Sequence, residues 1–370
     1  MTETIDLNNS EHTITLKMSK TPHPTQGRAS ISNPPNRFES QSCTLDEEEI
    51  GTRDSVKTQV ITDHAVSIIS RNQSPDIPFD VSLNPYRGCE HGCSYCYARP
   101  THEFLGYSAG LDFESRILVK EEAARLLETE LAKPSWEPKP LSMSGVTDPY
   151  QPLEKKLGIT RQCLEVLGRC RNPVMIITKN AGVLRDLDLL QELAQWDCVQ
   201  VTLSVTTLDS DLARKMEPRT SSPRQRLDAV KKLNEAGVPA GVMIGPVILG
   251  LNDTEIPAII QAAQDVGARW VHYVPLRLPG AVADVFLEWM ERELPDKKDR
   301  IMDRLKSFRG GRLNTNKFGE RFRGQGPWAK EIKHLYQLGC LKAGFKERPV
   351  QLSTIHFISP GVSQMELGIG

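Results

Sequence analysis

From residue 79 onward, short β-rich runs alternate with amphipathic helical stretches, a rhythm that few polypeptide architectures satisfy. Phe79 to Leu83 is the first run, and it leads directly into a cysteine-containing segment. A helix is predicted over Ser115 to Ala132, where Ile117, Leu118, Ala124, Leu127 and Leu131 follow an approximate 3.6-residue repeat. Strands are then predicted over 140–146, 174–178, 199–205, 240–248 and 270–276. Helices are predicted over 160–170, 184–196, 223–236, 255–266 and 282–293. Thr160 is read as a helix cap, Gly237 as a stop, and Asp253 or Thr254 as a start. Six consecutive strand–helix units with few hairpin signals predict an α/β fold, a partial (β/α)6 TIM-type barrel with right-handed crossovers. A doubly wound open sheet fits the same count. Either architecture places its chemistry at the carboxyl ends of the strands.

The 370 residues allow one large domain with appendages: a polar arm over 1–56, a core over 57–295, and a basic helical extension over 296–370 packed on the barrel. The arm is predicted to be largely flexible, because 21 of its first fifty residues are Ser, Thr, Asn or Pro and it ends in the acidic run Asp46 to Glu49. Within it, 26–38 carries Pro34, Pro35 and Phe38 and could drape over the folded body. With 46 Lys and Arg against 47 Asp and Glu, the chain is not a globally basic nucleic-acid binder. The longest uncharged apolar stretch, Ala240 to Leu251, is too short for a membrane span and contains Pro246 and three glycines. No secretory signal is read at the Met-Thr-Glu-Thr start, so the expectation is a cytoplasmic protein whose thiols meet a reducing compartment.

Five of the eight cysteines are scattered, but Cys89, Cys93 and Cys96 fall within eight residues, spaced CxxxCxxC in a polar loop with Gly88 and Gly92. Thiolates are soft ligands suited to zinc or iron–sulfur sites. A fourth thiolate is missing. A structural zinc site would have to recruit His91 or His102 to close its shell. In a catalytic cluster, by contrast, an open corner is where a substrate or cofactor binds.

With an aromatic, Tyr95, before the last cysteine and a position after the first strand of a six-unit α/β chain, this loop resembles the radical S-adenosylmethionine superfamily. The resemblance implies that the three cysteines hold a 4Fe–4S cluster and that the amino and carboxylate groups of S-adenosyl-L-methionine chelate the fourth iron. It further implies reductive cleavage to a 5′-deoxyadenosyl radical that abstracts a hydrogen atom from a substrate, and an electron donor such as flavodoxin or ferredoxin. The run 84–279 is similar to the branch containing spore photoproduct lyase, often labelled DNA repair photolyase-like. Segments such as 147–154 and Met216-Glu217-Pro218-Arg219 look like the bacterial members of that branch. The lyase uses a cysteine near the end of strand two as a hydrogen donor, whereas this chain has Leu141-Ser142-Met143-Ser144 there. Cluster and cofactor binding therefore carry over, and thymine-dimer reversal does not.

The strand ends supply the remaining candidates. Ser144, Thr147 and Asp148 follow strand two and offer acceptors to a methionine ammonium, unless Asp148-Pro149 only builds a turn. Lys179 follows strand three; by resemblance to the lyase it meets the methionine carboxylate, and otherwise it is simply solvated. Ser204 and Thr206 share a face of strand four and could reach the ribose or only neighbouring backbone. Gly245 on strand five allows close backbone approach for the adenine. His272 and Tyr273 on strand six point to opposite faces, so only one can enter the barrel. Tyr97, beside the last cysteine, is the candidate catalytic residue, as a radical relay.

The neutral total conceals one charged region. Residues 297–346 hold 14 Lys and Arg against 4 Asp and Glu, interleaved with Phe308, Phe318, Phe322 and Trp328. Such a surface could track nucleic-acid phosphates, form a solvated positive face, or dock an acidic electron donor. The competing function class is a non-enzymatic nucleic-acid-binding protein with a structural zinc or iron–sulfur site.

Overall fold

The computed structural model describes residues 27–39, 56–143, 145–345 and 351–361. In chain order its strands are β1 (Gln59–Thr62), β2 (Ile69–Arg71), β3 (Val81–Leu83), β4 (Tyr86–Arg87), β5 (Arg116–Val119), β6 (Leu141–Met143), β7 (Val174–Thr178), β8 (Val199–Ser204), β9 (Ala240–Val247) and β10 (Val271–Pro275). The main sheet has seven strands in the order β10-β9-β8-β7-β6-β3-β2. Its six strands from β3 to β10 run parallel and lie side by side in sequence order, with antiparallel β2 at the edge. A doubly wound sheet would reverse its order at a switch point; this one never does, which makes it an open, partial barrel.

Each crossover helix forms for a local reason. Pro223–Glu235 begins with a full capping box between Ser222 and Gln225 and with Pro at its first position. It ends at Gly237, whose φ of +82° a side chain would strain. Ile159–Cys170 starts one residue earlier than Thr160, so that threonine does not cap; Gly158 does, and the Thr160 hydroxyl donates to Pro149 O at 2.7 Å. The core lies between sheet and helices: Ile176, Val201, Val242 and Ile244 are fully buried on the strands against Leu164, Leu190, Val230 and Ile260.

The single helix predicted over Ser115 to Ala132 is instead a strand, β5, followed by the helix Ala123–Leu131. The β-branched and aliphatic run Ile117-Leu118-Val119 pairs in parallel with β1 and antiparallel with β4, forming a separate three-stranded sheet. This small sheet matters because β4 immediately precedes the cysteine loop.

Of the amino-terminal arm, 27–39 is packed on the body, with Ser30 N donating to Glu114 Oε1 at 2.9 Å and Leu111 N to Ser32 O at 3.0 Å. Apart from Val56, the rest of the predicted flexible arm lies outside the described residues. At the other end, Gly326–Ala343 lies along Ile256–Asp265. A Cβ at Gly339 would stand 2.7 Å from Ile260 Cδ1, so the glycine lets the two helices approach without displacing that side chain. Tyr336 donates to Val271 O at 2.7 Å and its ring packs on Tyr273, 4.9 Å between centroids. Tyr273 thus faces outward and His272 takes the inner face of β10. Among the described residues no helix is long and apolar enough to cross a membrane.

Candidate active site

The cysteine loop leaves β4 and is held from three sides. Gly88 and Gly92 have φ of +83° and +63°, and a Cβ at either would stand 2.8 Å from the His102 ring or 2.6 Å from the Glu114 carboxylate. Beneath the loop, fully buried Arg99 donates to Cys93 O at 2.8 and 3.0 Å and to Ala109 O and Gly110 O at 3.1 and 2.9 Å, and its charge is met by Glu114. On the far side, Ser94 N donates to Met216 O at 3.0 Å, and Arg219 pairs with Glu90 at 3.0 Å. The segment Met216-Glu217-Pro218-Arg219 is therefore a clamp on the cysteine loop.

Cys89 and Cys93 are buried and Cys96 partly so, and burial raises the pKa of all three thiols. The backbone amide of Asp148 is directed at the Cys89 sulfur and that of Ala98 at the Cys96 sulfur, each opposing the rise. Among the described residues, no three His, Cys, Asp or Glu side chains converge closely enough for a single metal ion. A cubane presents a separate iron to each thiolate, so its ligands need not meet at one point. The two histidines beside the loop have other partners: His91 contacts Asp148 at 3.3 Å and Asn180 at 3.4 Å, and His102 contacts Arg116 O at 2.9 Å.

Lys179, at the end of β7, reaches under the loop. Its Nζ lies 2.7 Å from Ser204 Oγ, 3.1 Å from Thr206 Oγ1, 2.8 Å from Gly245 O and 3.1 Å from Glu217 Oε1. Three of the candidate residues, Ser204 and Thr206 at the end of β8 and Gly245 on β9, therefore converge on the ammonium of a fourth. Burial, reinforced by nearby Arg226, lowers its pKa to about 7.

Sequence reasoning missed the acid at the centre of this group. Glu217 is buried, and its carboxylate also accepts from Tyr95, Thr206 and Arg226. Burial raises its pKa, with Arg226 opposing. The only signal was its place in the Met-Glu-Pro-Arg segment, and nothing in one chain announces that a loop glutamate will be buried. Tyr95, similarly, was visible only as an aromatic before Cys96.

Asp148 differs from expectation in its role. Its carboxylate is taken up internally, accepting from Thr178 Oγ1 and Lys179 N at 2.7 Å each and from Tyr150 N at 2.9 Å, with His91 alongside. Desolvation would raise its pKa, but His91 and these hydrogen bonds hold it below the usual carboxylate range. It locks strand ends together instead of presenting a free acceptor. Thr147 does present one: its Oγ1 is buried without a partner among the described residues, as is Ser94 Oγ. Ser144 lies outside the described residues. Tyr97 is half exposed at the rim, with its hydroxyl donating to Gly145 O at 2.9 Å.

Three soft sulfur donors, spare buried hydroxyls and a cation at the strand ends fit an iron–sulfur cluster with a zwitterionic nucleoside beside it. This is the arrangement of a radical S-adenosylmethionine enzyme. A profile of the Radical SAM superfamily matches residues 83–263, and the chain belongs to that superfamily, whose enzymes use a 4Fe–4S cluster and S-adenosylmethionine.

An uncharacterized protein of Mycobacterium tuberculosis is 35% identical over 229 residues, 61% of this chain and 67% of that one. An uncharacterized protein of Methanocaldococcus jannaschii is 33% identical over 173 residues, 47% and 62% of the two chains. Among solved structures, spore photoproduct lyase complexed with dinucleoside spore photoproduct superposes with a TM-score of 0.57 at 15% identity, covering 76% of this chain and 79% of that one. A variant of that lyase with bound AdoMet and the same dinucleoside gives 0.58 at 15% identity, covering 82% and 85%. At that identity the likeness is one of fold.

Proposed function

We propose that this chain cleaves S-adenosylmethionine reductively and directs hydrogen-atom abstraction onto a nucleic-acid substrate at the open mouth of the barrel. When bound, the cluster and S-adenosylmethionine supply a 5′-deoxyadenosyl radical. The chain's own residues hold, orient and screen. Cys89, Cys93 and Cys96 are the cluster ligands in this reading. Lys179 offers its ammonium to the methionine carboxylate, exchanging an internal partner for an external one. Thr147 and, by its place in the sequence, Ser144 offer acceptors to the methionine ammonium, with Asp148 fixing the neighbouring strand ends. Ser204, Thr206 and the Gly245 carbonyl line the ribose and adenine side. Tyr97, adjacent to Cys96 and half exposed at the rim, is the residue that can pass a hydrogen atom between substrate and site. The electron enters from a small acidic carrier protein of the flavodoxin or ferredoxin kind.

The convergence of Lys179, Ser204, Thr206 and Gly245 on one point beneath the cysteine loop carries this reading. A surface that only binds nucleic acid has no need of a largely buried lysine whose partners come from two neighbouring strands and the Glu217 segment. The test is anaerobic incubation of reconstituted protein with dithionite and S-adenosylmethionine, then with deuterated oligonucleotides. Formation of 5′-deoxyadenosine, and label moving into it from the oligonucleotide, is expected. Absence of cleavage under every reducing condition would remove the enzyme reading. Cleavage without label transfer from any oligonucleotide would remove the substrate.

A further inference from the structure

Arg277 lies two residues beyond β10, at the carboxyl rim of the sixth parallel strand. Its guanidinium stacks on Phe322, 4.8 Å from the ring centroid. Arg321 packs against the same ring at 5.1 Å and against Phe318 at 4.9 Å. The result is a ladder of contacts, Arg277–Phe322–Arg321–Phe318, in which guanidinium groups alternate with phenyl rings, from the rim residue Arg277 to exposed Phe318. Its outer part lines an open groove of about 410 Å³ together with Pro75, Asp76 and Arg323.

The two arginines differ in one respect. Arg321 is neutralised by a fork of contacts to Asp76, which also accepts from Gly319 N. Arg277 has no such partner: its Nε is buried without a hydrogen bond among the described residues. A buried guanidinium N–H left unsatisfied is costly, and a guanidinium packed on an aromatic ring can still offer its N–H groups to a bidentate oxyanion. At the far end Phe318 is 56% exposed, with Arg321 packed against its ring and the rest of the phenyl open to solvent. The surrounding segment, 297–346, carries its surplus of ten positive charges over four acids and fourteen bases.

We infer that the ladder is a track for a single nucleic-acid strand, with a phosphodiester oxygen pair seated on the Arg277 fork and a base stacked on Phe318. The inference rests on the substrate reading above and assigns it a site. A free guanidinium alone would serve a carboxylate equally well. The open ring at the end of a cationic ladder is what selects a nucleic-acid strand over an acidic peptide, since every base offers a π face and few peptide side chains do.

The test is fluorescence anisotropy of a labelled single-stranded oligonucleotide with the reconstituted full-length protein, across a salt series. Arg277→Ala is expected to weaken binding about tenfold or more and to flatten the salt dependence by about one phosphate contact. Arg277→Lys keeps the charge and the salt slope but loses the fork, so it too should weaken binding. Phe318→Ala, at an exposed position where misfolding is not at issue, should weaken binding by a similar factor with the salt slope unchanged. Lys231→Ala, exposed on Pro223–Glu235, serves as the neutral control. Wild-type affinity in both Arg277→Ala and Phe318→Ala would overturn the assignment, as would displacement of the strand by an acidic peptide at lower concentration than by unlabelled oligonucleotide. Because binding is read without S-adenosylmethionine turnover, failure here is distinguishable from failure of the radical chemistry.

Discussion

Lys179 Nζ and Glu217 Oε1 lie 3.1 Å apart at the carboxyl end of the barrel, and Glu217 holds a second cation, Arg226, through its other oxygen. One acid thus fixes two bases, each from a different part of the chain, beneath the cysteine loop. Removing it would leave two buried cations uncompensated, while removing Lys179 leaves Glu217 still paired with Arg226. Glu217→Ala should therefore cost about 3–5 kcal/mol in chemical denaturation, and Lys179→Met distinctly less. Equal costs would show that Arg226 does not share the acid.

The hydroxyls beside that pair make a separable contribution. Thr206→Val removes a group 2.8 Å from Gly245 O while keeping its volume, and Ser204→Ala removes one at 3.0 Å. Isothermal titration of the anaerobic holoprotein should show S-adenosylmethionine binding weakened by about tenfold in the double variant, at unchanged iron content. Unchanged affinity would place the nucleoside elsewhere.

Tyr97 should act on the substrate and not on cofactor cleavage. Tyr97→Phe loses only the hydroxyl that donates to Gly145 O. Formation of 5′-deoxyadenosine without substrate is expected to continue, and the yield of substrate-derived product to fall several-fold. Equal product yield would reduce Tyr97 to packing.

Stability should rise with pH between about 4 and 6.5. Burial pushes both His102 and His272 down to about 4 from an ordinary value near 6.5. In that window the unfolded chain binds protons that the folded chain does not, so acid favours unfolding. Above about 6.5 both states are neutral and the full stability is present; it is lost as pH falls toward 4. Each histidine contributes at most about 3 kcal/mol across the window. Urea unfolding between pH 5 and 6.5 should show a shallower slope in His272→Phe. An unchanged slope would mean that His272 titrates normally.

Much of this arrangement was legible in the sequence, and the failures share a cause. Alternating runs gave the parallel strands, and the strand-end rule was enough to gather Lys179, Ser204, Thr206 and Gly245, because in a barrel those ends converge whatever the side chains do. Local periodicity makes Ile117-Leu118-Val119 look helical because its parallel partner, β1, lies more than fifty residues upstream and leaves no trace in a local window. Glu217 was passed over as a site residue because the side chains that make its burial tolerable, Lys179, Tyr95 and Arg226, come from separate segments. The internal partners of Asp148, Thr178 and His91, are likewise non-local, so the sequence alone leaves its carboxylate looking free for a ligand.

In the proposed function three thiolates grip the cluster and one iron remains for the cofactor. Mössbauer spectroscopy of protein reconstituted with iron-57 tests it most directly, with and without S-adenosylmethionine. The expected result is a 4Fe–4S signal in which a single iron site changes its isomer shift when S-adenosylmethionine is added, and loss of the cluster in Cys93→Ala. Four iron sites that are indifferent to S-adenosylmethionine, or a protein that retains zinc in place of iron, would contradict it.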